Sequence, residues 1–339
     1  MKAFQLQDDW SIDHLRLVER PDPAPGPGQV LVRMSAASLN YRDLFVLRRG
    51  YGAATGTLPL VPVSDGVGEI VALGTGVERL AVGDRVCPMF FPDWIGGEPR
   101  RARMSAILGG PVDGTMVGLM AIGAESVARV PPHLSDAEAA TLPCAALTAW
   151  RALVTEGGVK AGDTVLVQGT GGVSLFALQF AKVLGARVIV TSSSDAKLAR
   201  SRALGADAGI NYRTRPEWGV AAREIAGGDG VDHVIEVGGE QTLKQSLRAV
   251  RVGGTLSLIG VLSGGKMDVR LGPVVTRAVR MQGVSVGCRD DFEAMVRAIE
   301  QHRLQPIVDR VFAFEELRAA LDHLASGTQF GKVCIRHAA

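Results

Sequence analysis

The chain has 339 residues, 37 Lys and Arg against 35 Asp and Glu, and a net charge of +2, which gives no electrostatic reason to expect nucleic acid or an anionic membrane as partner. Its 47% hydrophobic and 21% charged residues exclude a disordered chain, and its length exceeds the usual size of one hydrophobic core, so two domains are expected. The segment Met1–Asp9 lacks the apolar run of a signal peptide, and no apolar stretch is long enough to span a bilayer. The cytoplasm is the expected location, with no membrane partner.

In chain order, a Pro/Gly-rich stretch from Pro21 to Gly28 leads into the strand Gln29–Met34, and Gly66–Gly74 forms a second extended run. Both are rich in β-branched residues and bounded by turn formers, which suits an antiparallel, barrel-like domain. Residues 92–103, polar and basic around Gly96-Gly97, read as an exposed loop. Near Pro131 the character changes: Ser135 precedes Glu138 by three positions ahead of an alanine-rich run, a capping box that opens a helix. Beyond Gly162 strands alternate with helical patterns. The expected strands are Thr164–Gln168, Arg187–Thr191, Ala208–Tyr212, Asp232–Val237, Thr255–Gly260 and Met281–Val286. Six short strands in such alternation imply a parallel, doubly wound sheet. Apolar residues at helical spacing follow in Asp291–Arg303 and Glu315–Leu324, and Gly331–Ile335 closes as a strand. That tail has no parallel-sheet partner left to join, so it is expected to return to the first domain. The domains are then 1–130 with 288–339, and 131–287 inserted between them.

The strongest local signal is Val165–Ser174, a strand followed by Gly169-Thr170-Gly171-Gly172-Val173 and an apolar helix. This is the context a dinucleotide fingerprint requires: one glycine makes the tight turn, the next lets the backbone approach a pyrophosphate, and helix amides face the anion. Ser174 stands where the motif carries its third glycine, a small residue for a small one. After the second strand of the unit come Ser192, Ser193 and Ser194, where NAD-preferring folds place a carboxylate. Hydroxyls can donate to a 2′-phosphate that a carboxylate would repel, and Lys197 and Arg200 follow within a helical turn. NADPH, rather than NADH, is the expected cofactor.

Here the sequence resembles the medium-chain dehydrogenase/reductase superfamily over nearly its full length. The marks are Pro25–Val32, Asn40-Tyr41-Arg42-Asp43, Gly66–Val71, Val82–Val86, Ala161-Gly162-Asp163, the glycine turn and Phe330-Gly331-Lys332-Val333. The resemblance implies an α/β chain: a GroES-like, mostly β catalytic domain interrupted by a Rossmann domain. It also implies that Thr148, Gly238, Gly260, Val261 and Gly287 lie where the family meets its nucleotide. Zinc-dependent members carry a cysteine, a His-Glu pair and a further ligand. This chain has Asn40 at the first position and Ser64-Asp65 at the pair, and only Cys144 matches a ligand. A catalytic zinc needs three good protein ligands, so no zinc is expected. Cys144 reads as a small buried hydrophobe, and the four cysteines have no paired spacing.

Without zinc, nothing polarises an alcohol strongly enough for simple oxidation at neutral pH. An electron-poor quinone or enone asks less: hydride from the nucleotide, orientation, and a hydrogen bond to the developing oxyanion. The resemblance makes Asn40 and Tyr51 the candidate catalytic residues, the amide as donor to a carbonyl and the phenol as donor of a hydrogen bond or proton. Asp43 reads as a structural carboxylate beside a cation. The alternatives are a zinc-type alcohol dehydrogenase with atypical ligands and a non-catalytic NADPH-binding sensor or crystallin-like protein. Relatives pair the last strand of the nucleotide domain, so Arg280–Val286 implies a homodimer.

Overall fold

The computed structural model describes residues 1–266, 269 and 271–337. By its internal contacts the chain divides into two compact units, Met1–Leu147 with Val286–Ala339, and Thr148–Ser285.

The first unit opens with β1 (Lys2–Leu6) and β2 (Leu15–Glu19), an antiparallel pair. Then come β3 (Gln29–Leu39), β4 (Asp65–Leu73), β5 (Arg85–Pro88), β6 (Leu119–Gly123) and β7 (Val127–Arg129). In β3 the alternate residues Val30, Val32 and Met34 are buried, the half-buried pattern of an antiparallel sheet with one face on the core. They meet Phe4, Ile70, Val86 and Met116 in one cluster. At Gly68 a side chain would lie 2.2 Å from the Arg33 carbonyl oxygen, so the bulged β3–β4 pairing requires glycine there.

The helical stretch after Ser135 begins as expected, with Ser135 and Glu138 capping Asp136–Ala139. It then departs from a uniform helix: Leu142–Ala146 and Arg151–Thr155 are wide π-type turns flanking the helix Leu147–Trp150. The expected loop at 92–103 contains the short helix Arg101–Met104 and is anchored by a buried Trp94. The Trp94 and Ile95 carbonyls accept the Arg289 and Asp290 amides.

The second unit carries β8 (Thr164–Gln168), β9 (Arg187–Ser192), β10 (Ala208–Asn211), β11 (Val231–Glu236), β12 (Val250–Leu258) and β13 (Arg280–Gly283). All pair in parallel, in the order β10-β9-β8-β11-β12-β13. This is the doubly wound arrangement, and its order reverses between β8 and β11. Strands such as Val165-Leu166-Val167 and Val188-Ile189-Val190 are fully buried, as a sheet covered on both faces demands. The last strand ends at Gly283, short of Val286, which belongs to the first unit.

The chain returns through the helix Arg289–His302, β14 (Val308–Ala313), the helix Leu317–Ala325 and β15 (Lys332–Arg336). Strand β15 pairs antiparallel with β3, giving the order β14-β15-β3-β4-β5-β7, with β6 also on β3. The sheet is not wholly antiparallel, because β14 and β15 run parallel. Among the described residues no helix is long and apolar enough to cross a membrane.

Candidate functional site

In the second unit the glycine turn leaves β8 at the point where strand order reverses. Gly169 sits at φ +70°, a conformation that favours glycine. Gly171 precedes the helix Gly172–Val183, and a methyl group on either Gly169 or Gly171 would meet no protein atom within 4 Å. Open space over two glycines at a twelve-residue helix N-terminus fits a pyrophosphate. Ser174, at the place of the third glycine, is buried and donates its hydroxyl to the Gln168 carbonyl at 2.7 Å, tying helix to strand.

The serine run ends β9. Ser192 is buried, and its oxygen accepts from the Ser194 amide at 3.3 Å, which leaves its own hydrogen for another acceptor. Ser194 caps the helix Asp195–Ala203 by accepting from the Lys197 amide. Ser193 is half-buried, and Lys197 lies in that helix's first turn.

A carboxylate that sequence reasoning missed organises the reversal point. Glu236, at the end of β11, is buried and accepts from the Gly238 amide at 2.8 Å, the Gly239 amide at 3.0 Å and the Thr242 hydroxyl at 2.5 Å. Its other oxygen accepts from Gln168 Nε2 at 2.7 Å and from the Ser246 hydroxyl. Gln168 Oε1 receives the Val237 and Gly238 amides. The Gly238 carbonyl is likewise taken, by Ser263. Gly238 therefore keeps both backbone groups turned into the protein. The signal was present: a glutamate closing an apolar strand just before Gly238-Gly239 needs buried donors. Gly260 lies at close approach, where a side chain would come within 2.3 Å of the Val237 carbonyl, and Val261 beside it is exposed. Thr148 is buried at the start of this unit, whereas Gly287 belongs to the first unit, packed against Leu147.

In the first unit the residues around Asn40 form one polar cluster. Asn40 Nδ2 faces Ser64 Oγ at 3.4 Å, and Ser64 donates to Asp65 at 2.9 Å. The other Asp65 oxygen accepts the Cys144 amide at 3.1 Å, from within the first wide turn. Lys332, reaching in from β15, donates to Asn40 Oδ1 at 2.5 Å and to the Leu39 carbonyl at 2.6 Å. Burial pushes the Asp65 carboxyl above its usual range, with Lys332 opposing. Burial and the neighbouring Asp65 push the Cys144 thiol far up, so it stays protonated. As a zinc site this fits poorly. One candidate oxygen is committed to an ammonium, and among the described residues no three His, Cys, Asp or Glu side chains converge.

Asp43 is buried, accepts the Asn40 amide at 2.7 Å and lies 3.5 Å from the Arg42 guanidinium. Arg42 donates to the Leu108 and Gly110 carbonyls and lies over the Phe90 ring. Tyr51 is 48% exposed, its ring 5.9 Å from that of Phe45. Partial burial raises its phenol above the ordinary value, against the pull of Arg42.

Residues 26–132 match the model of the alcohol dehydrogenase GroES-like domain, and residues 172–301 that of the zinc-binding dehydrogenases. A zinc-type alcohol dehydrogenase-like protein of Schizosaccharomyces pombe is 43% identical over 98% of both chains. An acryloyl-coenzyme A reductase of Sulfurisphaera tokodaii is 28% identical over 95% of this chain and 96% of its own. Among solved structures, a candidate alcohol dehydrogenase of Sinorhizobium meliloti superposes with a TM-score of 0.93 at 44% identity, covering 99% of this chain and 98% of its own. The quinone oxidoreductase of Coxiella burnetii does so at 0.81 and 27%, covering 99% of both chains.

Proposed function

The chain belongs to the medium-chain dehydrogenase/reductase superfamily, with its GroES-like and Rossmann parts, and from that premise we propose that it is a zinc-free, NADPH-dependent reductase of quinones and enones. The observation that carries the reading is the occupancy of the metal-ligand positions: Asn40, Ser64 and Cys144, with the Lys332 ammonium on the Asn40 oxygen. Such a set offers hydrogen-bond donors to a carbonyl oxygen and little to a cation.

Bound reduced nicotinamide supplies the hydride. Asn40 Nδ2 donates to the substrate oxygen and stabilises the negative charge that builds there. The Tyr51 phenol, held protonated, donates a hydrogen bond or the proton that completes reduction. The amides at the start of the Gly172–Val183 helix hold the pyrophosphate. Ser192 and Ser193, with Lys197, favour a 2′-phosphate over the bare ribose. Relatives named as a quinone oxidoreductase and an acryloyl-coenzyme A reductase support this substrate class. A homodimer forms through the open edge of β13, and four unpaired cysteines suit the cytoplasm.

The name borne by the Schizosaccharomyces relative favours a second reading, a zinc-type alcohol dehydrogenase with atypical ligands. Elemental analysis of the purified protein separates the two, since stoichiometric zinc would overturn the first. NADPH absorbance is then followed with a panel of quinones and enones. Loss with at least one is expected, and loss with none would leave a nucleotide-binding protein without turnover. Tighter binding of NADH than NADPH, or no weakening of NADPH binding by Lys197→Ala, would refute the cofactor assignment.

A further inference from the structure

A buried ammonium is costly to hold, and its partners disclose its use. Lys332 is 3% exposed. The antiparallel register pairs Val333 with Leu39, which brings the preceding Lys332 to the end of β3, where the chain turns into Asn40. There its Nζ meets the Leu39 carbonyl and Asn40 Oδ1.

An ammonium has donors only, so the amide atom facing it must be the oxygen. The two ends of an asparagine amide are almost the same size, and sterics alone do not choose between them. Lys332 does choose. With Oδ1 held at 2.5 Å, Nδ2 points the opposite way, toward Ser64 Oγ, whose own hydrogen is spent on Asp65, and toward the Asp65 carboxylate, which also draws on the amide and favours the same orientation. The contact also draws electron density toward Oδ1 and strengthens Nδ2–H as a donor. A flipped amide would present lone pairs where a substrate oxygen gathers negative charge.

We propose that Lys332 is a positioning residue for carbonyl reduction, locking the Asn40 amide in the orientation that presents its NH2 group to the substrate oxygen. This rests on the function proposed above, and it deepens that reading by separating the group that touches substrate from the group that aims it.

The test is a double-mutant cycle with NADPH and whichever quinone or enone the wild type reduces. Lys332→Met and Asn40→Ala are each expected to lower kcat about 10- to 100-fold, with KM for NADPH within about twofold of wild type. The double variant is expected to be no slower than the slower single one, because either change removes the same aimed donor. Lys332→Arg is expected to recover most of the rate. Unchanged kcat in Lys332→Met, or losses that multiply in the double variant, would overturn the proposal. If Lys332→Met does not fold, Lys332→Gln takes its place, since a glutamine can meet either end of the amide, and the same loss is expected.

A second readout is independent of turnover. The chain has two asparagines, Asn40 and Asn211, so selective 15N-asparagine labelling gives two side-chain NH2 pairs. Removing the lysine is expected to shift or broaden the Asn40 pair and leave the Asn211 pair in place. An Asn40 pair indifferent to the lysine defeats the positioning role even in an active enzyme. A shifted pair in a protein that reduces nothing defeats only the function reading.

Discussion

Asp43 is paired with Arg42 and still not relieved of its burial, which is the larger effect and raises its carboxyl to about 6 from 3.8. The folded chain therefore keeps a proton that the unfolded chain gives up near pH 4. Its contribution to stability falls as pH rises from about 4 to 6, by roughly 2–3 kcal/mol at about 1.4 kcal/mol per unit. Asp43→Asn removes that slope. Denaturant unfolding of both proteins at pH 4 and pH 7 is expected to move their difference in the variant's favour by that amount, and parallel pH curves would refute the cause. Cys144 leads to an opposite expectation about reactivity. With its thiol pushed up, and with Cys87, Cys288 and Cys334 buried, iodoacetamide at pH 8 is expected to leave the native protein unmodified and to label all four cysteines in urea. Mass spectrometry reads the result, and rapid native labelling of Cys144 would count against its inert role. Asn40 and Tyr51 were singled out by family position, and the structure sets Asn40 in one polar cluster with Ser64 and Lys332. Lys332 stood in a recognised motif, yet its contact with Asn40 spans 292 positions, and only strand register creates it. Glu236 escaped in part for a similar reason, since beside the local Gly238, Gly239, Thr242 and Ser246 its donors include Gln168, 68 positions away on β8.

Among the elements, the glycine turn makes a clean experiment. Gly171 has φ −80°, within reach of any residue, and open space where a side chain would go. Gly171→Ala is thus expected to keep the melting temperature within about 1 °C while weakening NADPH binding at least tenfold, measured by titration calorimetry. Equal weakening of stability and binding would mean that the glycine serves the fold. The six parallel strands were legible because buried β-branched runs alternate with helical periods, and their bounds differ most where β12 begins at Val250 rather than Thr255 and where β13 stops at Gly283. The parallel pairing of β14 and β15 was not foreseen, because β14 did not stand out as a strand beside the exposed Val311. Had it done so, the helix Leu317–Ala325 between the two strands would have implied a parallel crossover. The wide turns at Leu142–Ala146 and Arg151–Thr155 left no trace either, since an alanine-rich apolar run reads alike for α and π winding.

At the scale of the whole molecule, the outer side of β13 has no strand beside it among the described residues, and Leu271 and Val275 nearby in sequence are 69% and 75% exposed. Pairing with a second copy would fill that edge and cover the apolar residues. Sedimentation is expected to give a dimer for the wild type and a monomer for Gly283→Pro, whose ring removes a backbone donor on the outer side of β13, the next amide, Val284, being the one that turns inward to Leu258. A monomeric wild type would end that expectation. The return of the tail to the first sheet was expected because the parallel sheet had no place left for it, and β15 pairs with β3, whereas the first junction between the units falls at Leu147 and not near 130. That return has a consequence for how the protein is made. A ribosome delivers β3 early and β15 late, with about 290 residues between Leu39 and Lys332 synthesised in the interval. At 5–20 residues per second the Ala36–Leu39 edge of β3 waits roughly fifteen to sixty seconds for its neighbour, a sticky border open to the crowded cell. The same late strand brings Lys332, so a nascent chain completes its parallel sheet before it can aim Asn40.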